Sequence, residues 1–374
     1  MKGIADVIVA GAGIVGAACA YELAREGARV SVVDRGFAGC GATSAGMGHI
    51  VVMDDSEAQF ALTRYSQTLW DEFAPELPTE VEFERCGTIW VAADEEEMGE
   101  VRRKFTYYAQ RGVATRILDS RELAEAEPLL RRPLAGGLLV PGDSVVYPPC
   151  AAAYFLDRAR ERGATVHLGR TIAEMEHGTI SLSDGSTMTA DCVVNATGQD
   201  APALTRSANV KPRKGHLVIT DRYPGTVQHQ LVELGYLKSA ASLTSDSVAF
   251  NVQPRKTGQV LIGSSRQYDV SGAGVDASIV GRMLERSFEY IPALRFASCI
   301  RTWTGFRAAT PDKLPLIGPC PEDPKTLLAT GHEGLGITTS LATGRLIADQ
   351  ILGRKPAIAV EPYLPSRQMA GTHA

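Results

Sequence analysis

The sequence predicts an α/β protein, α+β overall, in which a parallel-sheet domain is interrupted by an inserted antiparallel one. Three observations carry this. A strand, a glycine-rich turn, a helix and a second strand follow one another within residues 5–34. A strand, a glycine loop and a long helix occupy 326–352, near the other end. Between them, residues 210–264 alternate apolar and polar side chains with frequent glycine and proline, the pattern of an antiparallel sheet.

Taken in order, residues 5–10 (ADVIVA) form a short apolar run bounded by glycine, read as a buried strand. Residues 14–26 have helical periodicity and 29–34 (RVSVVD) give the second strand, completing a βαβ unit. A long polar loop follows Asp34, and helical patterns return around 56–73 and 94–111. The acidic run DEEEMGE (94–100) is a solvated helix start, where the helix dipole favours negative charge. SRELAEAE (120–127) is expected to begin at Ser120 as N-cap and to stop at Pro128. From 149 a helix (PCAAAYFLDRARERG) leads to a strand (ATVHLG) and a meander of short strands ending at Asn195, with Asp184-Gly185 as one hairpin turn. A helix at roughly 275–290 interrupts the inserted sheet, which resumes over 296–310. TLLAT (326–330) is the last strand and 334–352 the last helix. The parallel-type segments lie at the start, middle and end, so they must converge in space. This assigns 1–80, 140–205 and 310–374 to one discontinuous domain, and 81–139 with 206–309 to the insertion.

Composition excludes several classes. The net charge of -5 offers no broad pull toward nucleic acid or anionic membrane. The seven cysteines are scattered singly with no CxxC pair, so neither a disulfide framework nor a zinc or iron–sulfur site is indicated, and a reducing cytoplasm is expected. No stretch reaches the ~18–20 uninterrupted apolar residues of a membrane span. Asp6 and the glycines interrupt the apolar N-terminus before it could act as a signal peptide.

The chemistry is concentrated in glycine turns. Gly11, Gly13 and Gly16 form GxGxxG between a strand and a helix, with Ile14 and Val15 opening that helix and Asp34 closing the next strand. The first glycine permits a tight turn, the second lets a pyrophosphate approach the backbone, and the third lets helix and strand pack closely. Asp34 is placed to accept hydrogen bonds from ribose hydroxyls. Such a Rossmann-like unit binds FAD or NAD. The segment RGFAGCGATSAGMGHI after Asp34 is too long for a simple βα connection and suits an extended FAD better. CVVNATG (192–198) ends in a small-residue turn, Ala196, Thr197 and Gly198. A helix starting near Gly334–Gly336 would point its positive end at a flavin ring edge.

In this order the N-terminal fingerprint, GATSAGMGHI, VVNATG, GFRAATPDKLPLIG (305–318) and ATGHEGLGITTSLATGRLIADQILG (329–353) resemble one family over essentially the whole chain. It contains D-amino-acid oxidase, glycine oxidase, sarcosine oxidase and bacterial D-amino-acid dehydrogenases. Within it the chain looks most like dehydrogenase subunits, including hydroxyproline dehydrogenase beta-type chains. The resemblance implies a Rossmann-like FAD-binding domain with an inserted antiparallel-sheet substrate domain. It places Gly11, Gly13, Gly16 and Asp34 on the ADP portion, and Arg35, Thr43 and Ser44 near the pyrophosphate. Gly46, Met47 and Gly48 then lie beside the isoalloxazine, and Ile172 meets the adenine through backbone atoms. Gly331, His332, Glu333, Gly334, Leu335, Gly336, Ile337 and Thr338 wrap the pyrimidine edge. Arg307 matches the arginine that grips a substrate carboxylate. His332 either faces the substrate or packs locally. Tyr223, Tyr236 and Tyr268 lie in the inserted domain, where relatives shape the substrate pocket with tyrosines. The flavin-linking cysteine of sarcosine oxidases falls at Gly305, so FAD is expected to be non-covalent, and His49 is expected to have no covalent role.

The activity implied is oxidation of the C–N bond of a small amino or imino acid, D-amino acid or D-hydroxyproline-like, by hydride transfer from Cα to flavin N5. Two alternatives stand beside it: an NAD(P)-dependent dehydrogenase, and a non-catalytic flavin-carrying subunit of a larger oxidoreductase. Partner subunits or an electron-accepting protein are compatible with either flavin reading.

Overall fold

The structure, a computed structural model, describes residues 6–235, 246–270 and 272–368. The chain divides into two compact units, Met1–Val81 with Val146–Pro212 and Phe306–Ala374, and Glu82–Val145 with Arg213–Gly305. Compared with the boundaries expected above, 140–145 fall in the second unit, while 81, 206–212 and 306–309 fall in the first. The latter two crossings lie inside continuous strands, Lys211–Arg222 and Cys299–Ala309, so no loop marks them in the sequence.

Among the described residues the first unit is built on a six-stranded sheet. Its strands are β1 (Asp6–Ala10), β2 (Arg29–Asp34), β3 (Thr165–Leu168), β4 (Cys192–Asn195), β5 (Leu316–Pro319) and β6 (Thr326–Thr330). They lie in the order β5-β6-β4-β1-β2-β3, and every pairing is parallel except β5 with β6. Parallel strands buried on both faces explain the continuous apolar runs of β1 and β4.

Helix α1 (Ile14–Arg25) packs against α3 (Pro148–Arg160) and α4 (Gly336–Leu352), and α2 (Glu57–Phe73) packs on α4. The α1–α4 crossing is backbone to backbone: a Cβ on Gly344 would stand 2.7 Å from the Ala18 carbonyl group. Glu22, fully buried on α1, receives Arg345 of α4 at 2.7 Å and Arg25 at 2.8 Å. Helix α4 begins at Gly336, two residues later than the periodicity suggests, because Glu333 is left-handed (φ +56°) and the Leu335 N–H turns back to the His332 carbonyl. It ends on Gly353 in the left-handed conformation that closes helices.

Among the described residues the second unit carries an eight-stranded sheet. Thr88–Ala92 and Gln230–Glu233 are parallel neighbours within it, so the inserted sheet is mixed where alternation alone predicts antiparallel pairing. The partner of a strand is chosen by long-range packing, which a local pattern does not encode. Helix Ala277–Tyr290 covers one face, where Ile89, Leu231, Val252 and Ile262 meet Met283 and Tyr290, and Phe250 stacks on Tyr290 at 4.3 Å. The helix expected behind Ser120 is capped one residue earlier: Asp119 receives the Glu122 N–H at 2.7 Å, and Glu122 returns to the Asp119 N–H at 3.0 Å. That reciprocal box outcompetes the serine.

Candidate cofactor and substrate site

Along the sheet of the first unit the chain runs from β1 to β2 on one side and returns to β4 on the other. The turns after β1 and β4 therefore flank the point at which α/β sheets of this kind bind ligands. Gly11 holds φ +108°, and a Cβ there would stand 2.5 Å from the Ala196 carbonyl oxygen. A Cβ on Gly16 would stand 2.0 Å from the Gly11 oxygen, and one on Gly13 3.1 Å from Thr43 Oγ1. Only glycine fits at Gly11 and Gly16, whereas at Gly13 the Thr43 hydroxyl would have to give way by a few tenths of an ångström. Gly13 is the N-cap of α1 and brings no side chain to the helix N-terminus; instead the Ile14 N–H donates to Thr43 Oγ1 at 3.0 Å. Val15 and Gly16 complete that first turn.

Asp34 closes β2 with its carboxylate accepting from Ala12 N–H at 2.6 Å and from Gly36 N–H at 2.7 Å. It thus braces the glycine turn and keeps further lone pairs beside it. Arg35 lies on Asp200 at 2.6 Å, and Ser44 donates to the Gly41 carbonyl. Gly46 faces Ile337, whose Cδ1 would be 2.6 Å from a Cβ, and Gly48 (φ +98°) lies against the Val146 carbonyl. Met47 sits between them.

The other two glycine segments are tied to this one through hydrogen bonds. Thr330 Oγ1 donates to the Gly198 carbonyl at 2.8 Å. Thr338 Oγ1 donates to the His49 carbonyl at 2.8 Å, and Trp70 Nε1 holds the Thr338 carbonyl at 3.2 Å. Asn195 reaches forward, its Oδ1 accepting from the Thr197 N–H and hydroxyl and its Nδ2 donating to Thr205 Oγ1 and the Ala201 carbonyl. Trp70, Asn195 and Thr330 are braces that motif reading missed. A buried amide at a strand end was a signal for Asn195; Trp70, 268 residues from its partner, left none.

Arg307 stands on the strand Cys299–Ala309 beside Ala308, which bridges Glu333. Its Cδ and Nε lie 3.7 Å from the place of a Cβ on Gly334, so the guanidinium stem lies against the glycine loop there. Gly331 (φ +77°) turns against Thr310. His332 is buried, with Nε2 3.0 Å from Thr343 Oγ1, and burial pushes its pKa down to about 3, leaving a neutral ring. Ile172 begins a short strand and packs with Ala10, Val33 and Met175. In the second unit the Tyr223 hydroxyl accepts from the Ser298 N–H at 2.9 Å, and Tyr268 lies at 3.4 Å from an Arg213 nitrogen. Tyr236 lies outside the described residues.

The residues present suit an elongated dinucleotide. Ser56, Asp94, Asp119 and Asp276 cap their helices, whereas the N-cap residues of α1 and α4, like that of α3, bring no capping side chain and no acid stands in the first turn, Thr43 reaching Ile14 alone at α1. Backbone N–H groups and the positive end of each dipole are thereby offered to an anionic ligand. No His, Cys, Asp or Glu group among the described residues could hold a metal ion.

Fold and site together define a dinucleotide-binding oxidoreductase of the flavin type. The chain belongs to the DAO family of FAD dependent oxidoreductases, whose model matches residues 6–350. It is similar to a glycine oxidase of Geobacillus kaustophilus, 29% identical with 97% of each chain covered. The crystal structure of glycine oxidase from that organism superposes with a TM-score of 0.88, covering 97% of this chain and 98% of the other. A hydrogen cyanide synthase subunit HcnC of Pseudomonas aeruginosa is 28% identical, with 97% and 96% covered. An L-proline dehydrogenase structure from P. horikoshii has a TM-score of 0.86 at 25% identity and 99% coverage of both chains. The cofactor is FAD, so the nicotinamide alternative is set aside. Among the described residues no helix is long and apolar enough to cross a membrane.

Proposed function

We propose that the chain oxidises the Cα–N bond of a small amino or imino acid, with FAD bound non-covalently in the first unit and Arg307 gripping the substrate carboxylate. The observation that carries this is the placement of the Arg307 side chain against Gly334 of the glycine loop. A guanidinium presents a planar fork that holds a carboxylate in two bonds and so fixes the orientation of Cα. FAD, when bound, supplies the acceptor for the hydride leaving Cα. The chain orients the substrate and excludes water, and the product imine hydrolyses in solution. His332, neutral and bonded to Thr343, does not serve as a base. Non-covalent attachment is supported by Gly305 at the cysteine position and by Cys320, whose buried thiol lies on the Ser207 hydroxyl. Relatives named for glycine and L-proline support a compact amino or imino acid; we favour a D-amino or cyclic imino acid in a reducing cytoplasm.

Anaerobic mixing with D-amino acids, glycine, sarcosine and D-hydroxyproline is the test. Bleaching of the flavin by at least one is expected, and its loss in Arg307→Ala by on the order of 2–4 kcal/mol in kcat/KM. A folded, FAD-loaded Arg307→Ala enzyme with unchanged kinetics would reject the assignment. If no substrate bleaches the wild type, the chain is instead a flavin-carrying subunit, a reading favoured by its likeness to a protein named as a synthase subunit. Stopped-flow reoxidation in air separates an oxidase from a dehydrogenase that needs a partner acceptor.

A further inference from the structure

His332 is 7% exposed and its ring is turned along α4 rather than away from it. Nε2 lies 3.0 Å from Thr343 Oγ1, and that hydroxyl lies 2.8 Å from the Thr339 carbonyl oxygen, to which it donates. A threonine hydroxyl has one proton to give. It is spent on Thr339, so toward His332 the hydroxyl accepts and Nε2 carries the hydrogen. Nδ1 is then the bare nitrogen. The same residue touches α4 at two further levels. Its carbonyl accepts the Leu335 N–H at 2.9 Å, and its Cβ lies 3.4 Å from the place of a Cβ on Gly336. One side chain therefore joins the glycine loop to α4 from its first residue to a point two turns in.

We infer that His332 is a positioning residue: as a neutral Nε2–H imidazole it fastens the glycine loop to α4 and so presets the backbone N–H groups of Gly334 and of Gly336–Thr338 for the flavin. The inference rests on the reading that this loop meets the flavin ring. Burial of the ring agrees with it, since a charged imidazolium would have no counter-ion in the contacts described. The uncapped end of α4, rather than a charged histidine, then supplies the positive potential at the loop.

Three substitutions and one double variant test the fastening. Thr343→Val removes the acceptor and strands a buried N–H, the costlier kind of loss. His332→Phe leaves the Thr343 hydroxyl still bonded to Thr339, so it should do less harm. The double variant should be no worse than His332→Phe, because no donor is left stranded. Thr343→Ser keeps the acceptor and should behave as wild type. For Thr343→Val we expect FAD dissociation, read by fluorescence titration of the apoprotein, to weaken by about tenfold. The bound flavin should also take a more negative midpoint potential. In the uniformly ¹⁵N-labelled wild-type apoprotein, His332 should show a protonated Nε2 and a bare Nδ1 without change from pH 5 to 8. Equal behaviour of the Val and Ser variants, multiplying effects in the double variant, or a bare Nε2 would overturn the inference. Should Thr343→Val fail to fold, His332→Phe and the wild-type spectrum decide. A wild type that takes up no FAD would instead refute the functional reading, and the ¹⁵N spectrum still judges the tether.

Discussion

Replacing Gly16 by alanine tests the geometry of the phosphate turn. A Cβ at this position would stand 2.0 Å from the Gly11 oxygen and 2.9 Å from its carbonyl carbon. Side-chain carbons do not approach closer than 3.0 Å, so a gap of about 1 Å must open between α1 and the turn. Neither partner yields easily. The Gly11 N–H is bonded to the Val33 carbonyl at 2.8 Å, the Ala196 carbonyl lies directly against Gly11, and α1 is pinned on α4 at Ala18. Because both colliding groups are backbone, no rotamer change relieves the clash, and the cost belongs at the upper end of overpacking, about 3 kcal/mol. Alanine regains about 1 kcal/mol over glycine inside a helix. The net loss is about 2 kcal/mol, or roughly 2–3 °C in the melting temperature of the apoprotein. The displaced turn should also lose one charge-assisted bond to phosphate, weakening FAD binding by about 10- to 150-fold. Differential scanning fluorimetry and flavin-fluorescence titration read the two effects. A Gly16→Ala protein with wild-type melting and wild-type FAD affinity would refute the packing argument.

Thr43→Val should cost about 1 kcal/mol of stability and weaken FAD binding, because the Ile14 N–H loses its acceptor at the start of α1; chemical denaturation of the apoprotein measures it. Gly99→Ala, on an exposed turn of helix Glu95–Gln110 with nothing within 4 Å of the added methyl, should stabilise by about 0.5–1 kcal/mol in the same assay and leave FAD binding unchanged. Asp312 gives a pH signature. Burial pushes its carboxyl up, but the hydrogen bonds and charge of Arg367 outweigh this and hold it below the ordinary aspartate range. A lowered folded-state pKa contributes stability above the unfolded value of about 3.9 and loses it as pH falls through the folded value. Asp312→Asn should therefore be less stable than wild type at pH 7 and indistinguishable from it in strong acid, as followed by thermal melts across pH.

Much of the first unit is legible because its rules are local. β2 and β6 fall on the residues their patterns mark, and Gly11 and Gly16 occupy positions where any side chain collides with backbone. What the sequence hides is contact at a distance. The burial of Glu22 is invisible until Arg345 arrives from α4, and its charge reads as a surface feature of α1. The mixed pairing of Gln230–Glu233 with Thr88–Ala92 depends on which strand inserts between which others. The side-chain role of His332 was open in the sequence because its partner lies two turns along a helix whose facing depends on packing. Asp119 and Ser120 both qualify as caps, and only the reply from Glu122 chooses between them.

The crossing at Ala18 and Gly344 couples two parts of the molecule that share no sequence motif. Main chain rests on main chain there, with no side chain between to absorb a shift, and the Glu22–Arg345 pair clamps the same two rods. One rod is headed by the Gly11–Gly16 turn and the other by the Gly331–Gly336 loop. A nucleotide fragment such as ADP, if seated at the first head alone, should therefore quieten amide exchange at the second.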